Sequence, residues 1–120
     1  MTSTSLNHQA NLDTTLAELP PLPMAALMIG VYNLLQDGAD LPQPCHASVS
    51  ETTQHITLQF SPEPASLKAV TRWALRFGSV VDSEPHQTEH GAQTWCRTEF
   101  AYYGLAVKAF AHIPAGPASS

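Results

Sequence analysis

The segment from Ala92 to Ile113 constrains the fold most, because its two halves match residue by residue about a turn at Tyr103-Gly104. Small or apolar residues alternate with polar and aromatic ones on both sides of that turn, which is the period of a β-strand with two unlike faces. The pairs expected on one face are Phe100 with Val107, Thr98 with Ala109, Cys96 with Ala111 and Thr94 with Ile113. These side chains are mostly small, so we expect a helix to lie close against this face.

The other face of the same hairpin carries larger side chains. It pairs Trp95 with His112, Arg97 with Phe110 and Glu99 with Lys108. An opposite-charge pair and an arginine beside an aromatic ring both favour this register. We define the aromatic strand face by its basic and aromatic members, Trp95, Arg97, Lys108, Phe110 and His112. Such a mixture is typical of protein interfaces and also of surfaces on which nucleic-acid bases stack.

A shorter hairpin is predicted upstream, with its turn centred on Thr52-Thr53. The turn places Cys45 opposite Phe60, Ala47 opposite Leu58 and Val49 opposite Ile56. This register collects every apolar residue on one face, as an antiparallel sheet with one buried side requires.

The two cysteines, Cys45 and Cys96, fall at apolar strand positions, so both are predicted to be small buried hydrophobes. A small secreted domain held by disulfides usually has four or more cysteines. No basic segment followed by an apolar stretch opens the chain, so a secretory signal is not indicated. We therefore expect a reduced, cytoplasmic protein.

A first helix is predicted from about Pro23 to Gln36 and is apolar on nearly every side, since Asn33 is the only strongly polar residue from Met24 to Leu35. A helix of this kind is normally buried on more than one side, either by the rest of the domain or by another subunit. Gly30 at its centre indicates a close backbone approach at this point of the helix. Gly38 just past its end favours a left-handed cap.

A second helix is predicted after Ser61-Pro62-Glu63-Pro64 and ends at Gly78. Its core stripe is expected to consist of Leu67, Val70, Ala74 and Phe77, with Trp73 beside the stripe. A short strand, 79–83, and a polar loop, 84–91, follow.

The predicted order α-β-β-α-β-β-β indicates a single two-layer α+β domain, with two helices packed on one face of a mostly antiparallel sheet. The domain is expected to span 23–113, between a mobile N-terminal arm with a proline-rich connector, 1–22, and a disordered tail, 114–120. No run of eighteen apolar residues occurs, so no membrane span and no membrane partner is predicted.

Three of the five basic residues, Lys68, Arg72 and Arg76, are spaced four residues apart on the second predicted helix. This spacing places them on one side of the helix, which we call the basic helix face. It is either an ordinary solvated surface or a contact for an acidic partner or nucleic acid. The whole chain carries ten acidic residues and a net charge of −5, which argues against general nucleic-acid coating.

Signatures of catalysis are missing from the sequence. There is no G-x-S-x-G, no glycine-rich phosphate loop and no C-x-x-C. His86 and His90 are four residues apart, but Pro85 and Gly91 argue against the helix that would align them for a metal. Cys96 and His112 are predicted to point to opposite faces of the sheet. We therefore predict no catalytic residue, no metal and no cofactor.

The segment from Trp73 to Gly78 (WALRFG), followed by that from Tyr103 to Ile113 (YGLAVKAFAHI), resembles small uncharacterised proteins of actinobacteria and their phages. In those proteins a helix ending in tryptophan and glycine precedes a strand with the pattern G-v-x-V-x-v-w-a-H, in which Phe110 here replaces the second tryptophan. The resemblance covers the second half of the chain. It implies a bacterial cytosolic or mobile-element protein and carries no catalytic residue.

Two functions remain open from the sequence, with a third behind them. The first is a non-enzymatic protein-interaction module that associates with itself or a protein partner, using the basic helix face and the aromatic strand face as contacts. The second is a nucleic-acid-binding accessory protein of a mobile element, in which the basic helix face grips phosphates while Trp95 and Phe110 stack on bases. The third is a small-molecule enzyme with a pocket between the first helix and the sheet.

Overall fold

Alternating strands and two helices assemble in the predicted order in the computed structural model, which describes residues 20–89 and 91–114. The elements are α1 (Met24–Asp37), β1 (His46–Ser50), β2 (His55–Gln59), α2 (Ala65–Arg76), β3 (Asp82–Thr88), β4 (Gly91–Tyr102) and β5 (Leu105–Pro114). The predicted α+β class, with both helices packed on the sheet, is confirmed. The predicted mobile arm and disordered tail fall, apart from 20–22 and Pro114, outside the described residues.

The five strands form one sheet in the order β1-β2-β5-β4-β3. All neighbours are antiparallel except β2 and β5, which pair in parallel. Both predicted registers are confirmed: Val49 pairs with Ile56 in the first hairpin, and Phe100 pairs with Val107 in the long one. The long hairpin turns at Tyr103-Gly104, where both residues have positive φ. This conformation matches the twist of the flanking strands.

The structure differs from the sequence prediction at β3. The segment 84–91 is predicted to be a polar loop, but Glu84 to Thr88 belong to β3 and pair with β4 in antiparallel register. β3 lies at the edge of the sheet, so it has no apolar pattern, and Pro85 is tolerated there because an edge strand has an unpaired side.

The core lies between the helices and the inner face of the sheet, and Trp73 is at its centre. Its side chain is completely buried, its Nε1 donates to the Pro42 carbonyl at 2.6 Å, and its ring stacks with Phe77 at 5.8 Å between centroids. Leu67, which is predicted to belong to the core stripe, is instead exposed. Compared with the prediction, α2 is rotated about its axis, so that the small residues Ser66 and Ala69 face the sheet together with Val70 and Trp73.

α1 packs against β1 and buries Leu27 and Leu34 completely. The group that approaches Gly30 closely is a side chain and not the predicted backbone, since a β-carbon there would lie 2.6 Å from Leu105 Cδ1. The left-handed cap predicted at Gly38 is wrong, because its φ is −101°. Glycine is required at position 38 for a steric reason instead, because its α-carbon lies against the ring of Trp73 and leaves no room for a β-carbon.

The two cysteines differ in environment. Cys96 is fully buried on the inner face, as predicted, and its thiol contacts the Ala111 carbonyl at 3.6 Å. Cys45 is exposed, which corrects the prediction, because the residue precedes β1 and lies outside the buried register.

Candidate functional site

One side of α1 presents large apolar side chains to solvent. Met28, Ile29 and Tyr32 are 57%, 61% and 63% exposed, whereas Leu27 and Leu34 on the opposite side of the helix are fully buried. We call these three residues the α1 apolar face. The sequence predicts that this helix is covered on more than one side, but among residues 20–89 and 91–114 only the side toward the sheet is covered.

A cleft of about 520 Å³ adjoins this face, between α1 and the turn that joins β4 to β5. Ile29 and Gly30 contribute to its α1 wall, and Tyr103 and Leu105 contribute to the wall from the turn. At its polar end the Tyr102 hydroxyl donates to Oδ2 of Asp37. Burial and the Asp37 carboxylate raise the pKa of Tyr102 to about 12, so the phenol is neutral at physiological pH.

The aromatic strand face lies on the opposite side of the sheet from both helices. Its five predicted residues line a single pocket of about 250 Å³, together with Cys96. Strand alternation places them there, because odd-numbered residues of β4 and even-numbered residues of β5 point to this side.

Trp95 is enclosed by two imidazole rings on this face. His86 on β3 stacks on it with ring centroids 3.5 Å apart, and His112 on β5 stacks with centroids 4.6 Å apart. Because β3 and β5 lie on either side of β4, the two histidines flank the indole from opposite sides. Trp95 therefore has no open ring face on which a nucleic-acid base could stack. The sequence considers His86 only as a metal ligand and does not place it on this face, because its segment has the composition of a loop.

The charges near the pocket are unevenly arranged. Arg97 Nη1 lies 3.7 Å from Oε1 of Glu84, and Lys108 Nζ lies 5.5 Å from the centroid of the Phe110 ring. Burial lowers the pKa of His112, and the electrostatic interactions with the His86 ring and the Lys108 ammonium group lower it further. Two cations, Arg97 and Lys108, thus line this pocket in a chain whose net charge is −5.

The basic helix face is smaller than its sequence suggests. Arg76 donates to the backbone carbonyl of Asp37 at 2.9 Å and to Oδ2 of Asp40 at 2.5 Å. The hydrogen bond from Arg76 lowers the pKa of Asp40. Arg76 therefore links α2 to the segment that follows α1, although its side chain is still exposed in part, and Lys68 and Arg72 are exposed beside it.

The two predicted contact surfaces do not form one site. α2 lies on the inner side of the sheet, where it packs against β4 and β5, while Trp95 and Phe110 point to the outer side. Layers that pack on a sheet lie about 10 Å from it, so a base held at Phe110 and a phosphate held at Arg72 would lie on opposite sides of the molecule.

Residues 20–89 and 91–114 contain neither a metal-ligand cluster nor a helix that could span a membrane. No group of three His, Cys, Asp or Glu side chains in that part of the chain is placed to hold a metal ion; His90 lies outside it. None of the helices described there is long and apolar enough to cross a membrane. Cys96 and His112 point to opposite sides of the sheet.

No protein-family model, curated protein or solved structure matches the chain. The resemblance to small actinobacterial and phage proteins therefore stays a prediction.

Proposed function

We propose that this protein is a non-enzymatic interaction module and that it associates with a second copy of itself through the α1 apolar face. The observation that carries the proposal is the exposure of Met28, Ile29 and Tyr32 on one side of a helix. A contiguous patch of exposed apolar side chains is characteristic of an interaction site, whereas single exposed apolar side chains are common on protein surfaces.

A second copy is the occupant that fits the charge pattern. No charged residue occurs from Met24 to Gln36, whereas the chain as a whole carries −5. Two copies therefore repel one another over much of their surfaces but not at the α1 apolar face. A two-fold interface brings the same surface together from both subunits, and an uncharged apolar surface is complementary to itself.

The surface area that a stable dimer must bury also indicates which side chains next to the α1 apolar face take part in the interface. A stable interface buries about 800 Å² on each partner, which is more than three side chains provide. Tyr103 is 89% exposed and shares the adjoining cleft with Ile29, so it extends the patch on one side. Leu22 and Met24 are also exposed, at the beginning of α1. We expect all six side chains to be buried in the dimer.

Both cysteines are free, which supports the proposal that the protein works in a reducing compartment, the cytoplasm. The remaining cations of the basic helix face, Lys68 and Arg72, would add a secondary contact to an acidic partner surface. They lie outside the α1 apolar face, so self-association does not depend on them.

Sedimentation velocity on the full chain tests the proposal. We expect wild type to sediment at twice the monomer mass and Ile29→Glu to sediment as a monomer, because the substitution would bury a charge in the interface. Leu75→Glu is the matched control: Leu75 is 72% exposed on α2 and should leave the dimer intact.

A wild-type protein that stays monomeric at its solubility limit would overturn self-association, as would a dimer of Ile29→Glu as stable as the wild type. If that monomer also retarded DNA or RNA at low salt, and Lys68→Glu with Arg72→Glu abolished the retardation, the nucleic-acid accessory function would replace the one proposed.

A further inference from the structure

The pocket on the outer side of the sheet combines two cations with an aromatic wall. Arg97 and Lys108 line it from β4 and β5, and Trp95, Phe110 and His112 line it with their rings. No acidic side chain belongs to the lining. A concave site with an apolar wall and a few convergent polar groups is the general form of a small-molecule site.

We propose that this pocket binds a small aromatic carboxylate, with the ring of the ligand against Phe110 and the carboxylate between Arg97 and Lys108. A guanidinium and an ammonium on neighbouring strands give charge-assisted hydrogen bonds to a carboxylate from two directions. The aromatic wall supplies apolar contact to the ring that carries it.

The local charges favour a ligand with a single negative charge. Arg97 is shared with Glu84 at 3.7 Å, and Glu84 lies on β3 outside the pocket. Glu99 pairs with Lys108 in the strand register but lines other depressions of the surface. The two cations are thus partly offset, so the net positive charge of the site is small and a single carboxylate is enough to neutralise it.

The dimensions limit the ligand to one ring. Pockets for drug-sized molecules have volumes of about 300–1,000 Å³, and this one has about 250 Å³. Trp95 is already covered by His86 and His112, so a ligand cannot insert against its ring faces. The ligand ring must therefore lie beside Phe110, within reach of both cations.

Binding can be followed by NMR through His112, using benzoate as the probe and benzyl alcohol as its uncharged analogue. We expect saturable shifts of the His112 imidazole signals with benzoate and no saturation with benzyl alcohol. A bound anion favours the protonated imidazole, so benzoate should also raise the pKa of His112. Trp95, Lys108 and Phe110, which lie around His112, and His86 on the other side of the indole are all unchanged in this experiment.

Variants separate this site from charge elsewhere on the surface. Lys108→Gln should weaken benzoate binding about 10-fold or more, because a charge-assisted hydrogen bond is lost. Lys108→Arg should retain binding, and it keeps the test valid if Lys108→Gln folds poorly. The matched control is Lys68→Gln, which removes a cation from α2 and should bind benzoate like wild type.

Several results would overturn the proposal: no saturation with benzoate, equal affinity for benzyl alcohol or inorganic phosphate, or equal weakening by Lys68→Gln and Lys108→Gln. The inference does not depend on self-association, because α1 lies on the other side of the sheet. Ile29→Glu should therefore bind benzoate as wild type does, whether or not it is monomeric.

Discussion

Replacing Gly38 by alanine tests the tightest contact in the core. A β-carbon at this position would lie 2.4–2.9 Å from three atoms of the outer ring of Trp73. Real β-carbons essentially never come within 3.0 Å of a heavy atom outside their own residue and its chain neighbours, so either the ring or the backbone must move. The φ of −101° at Gly38 is accessible to alanine, so the effect is one of space and not of backbone conformation.

The loss of stability expected for Gly38→Ala depends on how firmly the ring of Trp73 is held in place. Its Nε1 hydrogen bond to Pro42 and its stacking on Phe77 both oppose a shift of the ring. Overpacking a core of this kind typically costs about 1–3 kcal/mol. Alanine restricts the unfolded chain more than glycine does, which raises the free energy of unfolding by about 0.4–1 kcal/mol and offsets part of this loss. We expect Gly38→Ala to lower the free energy of unfolding by about 1–2 kcal/mol.

Urea denaturation of wild type and Gly38→Ala measures this difference directly, and the melting temperature should fall by about 5–15 °C. Gly30→Ala is the control: its β-carbon would meet Leu105 Cδ1 at 2.6 Å, but that atom ends a flexible side chain that can rotate away. The gain in helix propensity of about 1 kcal/mol should then make Gly30→Ala neutral or stabilising.

A double-mutant cycle tests the cause. Phenylalanine at position 73 lacks the outer ring, so Gly38→Ala should cost much less in a Trp73→Phe background. An unchanged stability of Gly38→Ala, or the same cost in both backgrounds, would refute the steric argument.

Two further predictions concern the same core. Trp73→Ala should lower the free energy of unfolding by about 3–5 kcal/mol, because the side chain is fully buried; thermal melts showing a much smaller loss would contradict this. The raised pKa of Tyr102, about 12 against an ordinary 10.0, favours the neutral phenol in the folded state, so its contribution is present below pH 10 and is lost as the pH rises through about 12. Melting temperatures from pH 9 to 12 should therefore fall less steeply for Tyr102→Phe than for wild type, and parallel curves would exclude Tyr102 as the cause.

The strand registers were predictable because alternation and turn chemistry are local. Tyr103-Gly104 sets the long hairpin, and once the turn is placed, every pair from Phe100 with Val107 to Thr94 with Ile113 follows. The same logic brought together the five residues of the aromatic strand face, which are all found in one pocket. The parallel pairing of β2 with β5 is not local, and no pattern in either strand indicates it.

The errors in α2 and β3 have physical causes. Leu67 is more hydrophobic than Ser66 or Ala69, yet it is exposed, because the large ring of Trp73 sets the rotation of the helix and only small residues fit beside it. The spacing of Ser66, Ala69 and Trp73 was the signal that could have shown this. β3 lacks an apolar pattern because it is an edge strand, so its pairing depends on β4 and not on its own composition.

Arg76 shows why a charged stripe is weak evidence for a binding surface. Sequence places it with Lys68 and Arg72, but folding brings it to Asp40 and to the carbonyl of Asp37, which are 36 and 39 residues away. A carbonyl near the end of a helix attracts cations, and a carboxylate next to it strengthens that attraction. No such acceptor is local to α2, so the spacing of the basic residues could not reveal the contact. Conversely, α1 has no charged residue before Asp37 at its end, and Met28, Ile29 and Tyr32 remain exposed within the described part of the chain. The surface best suited to a partner is therefore the one without charges.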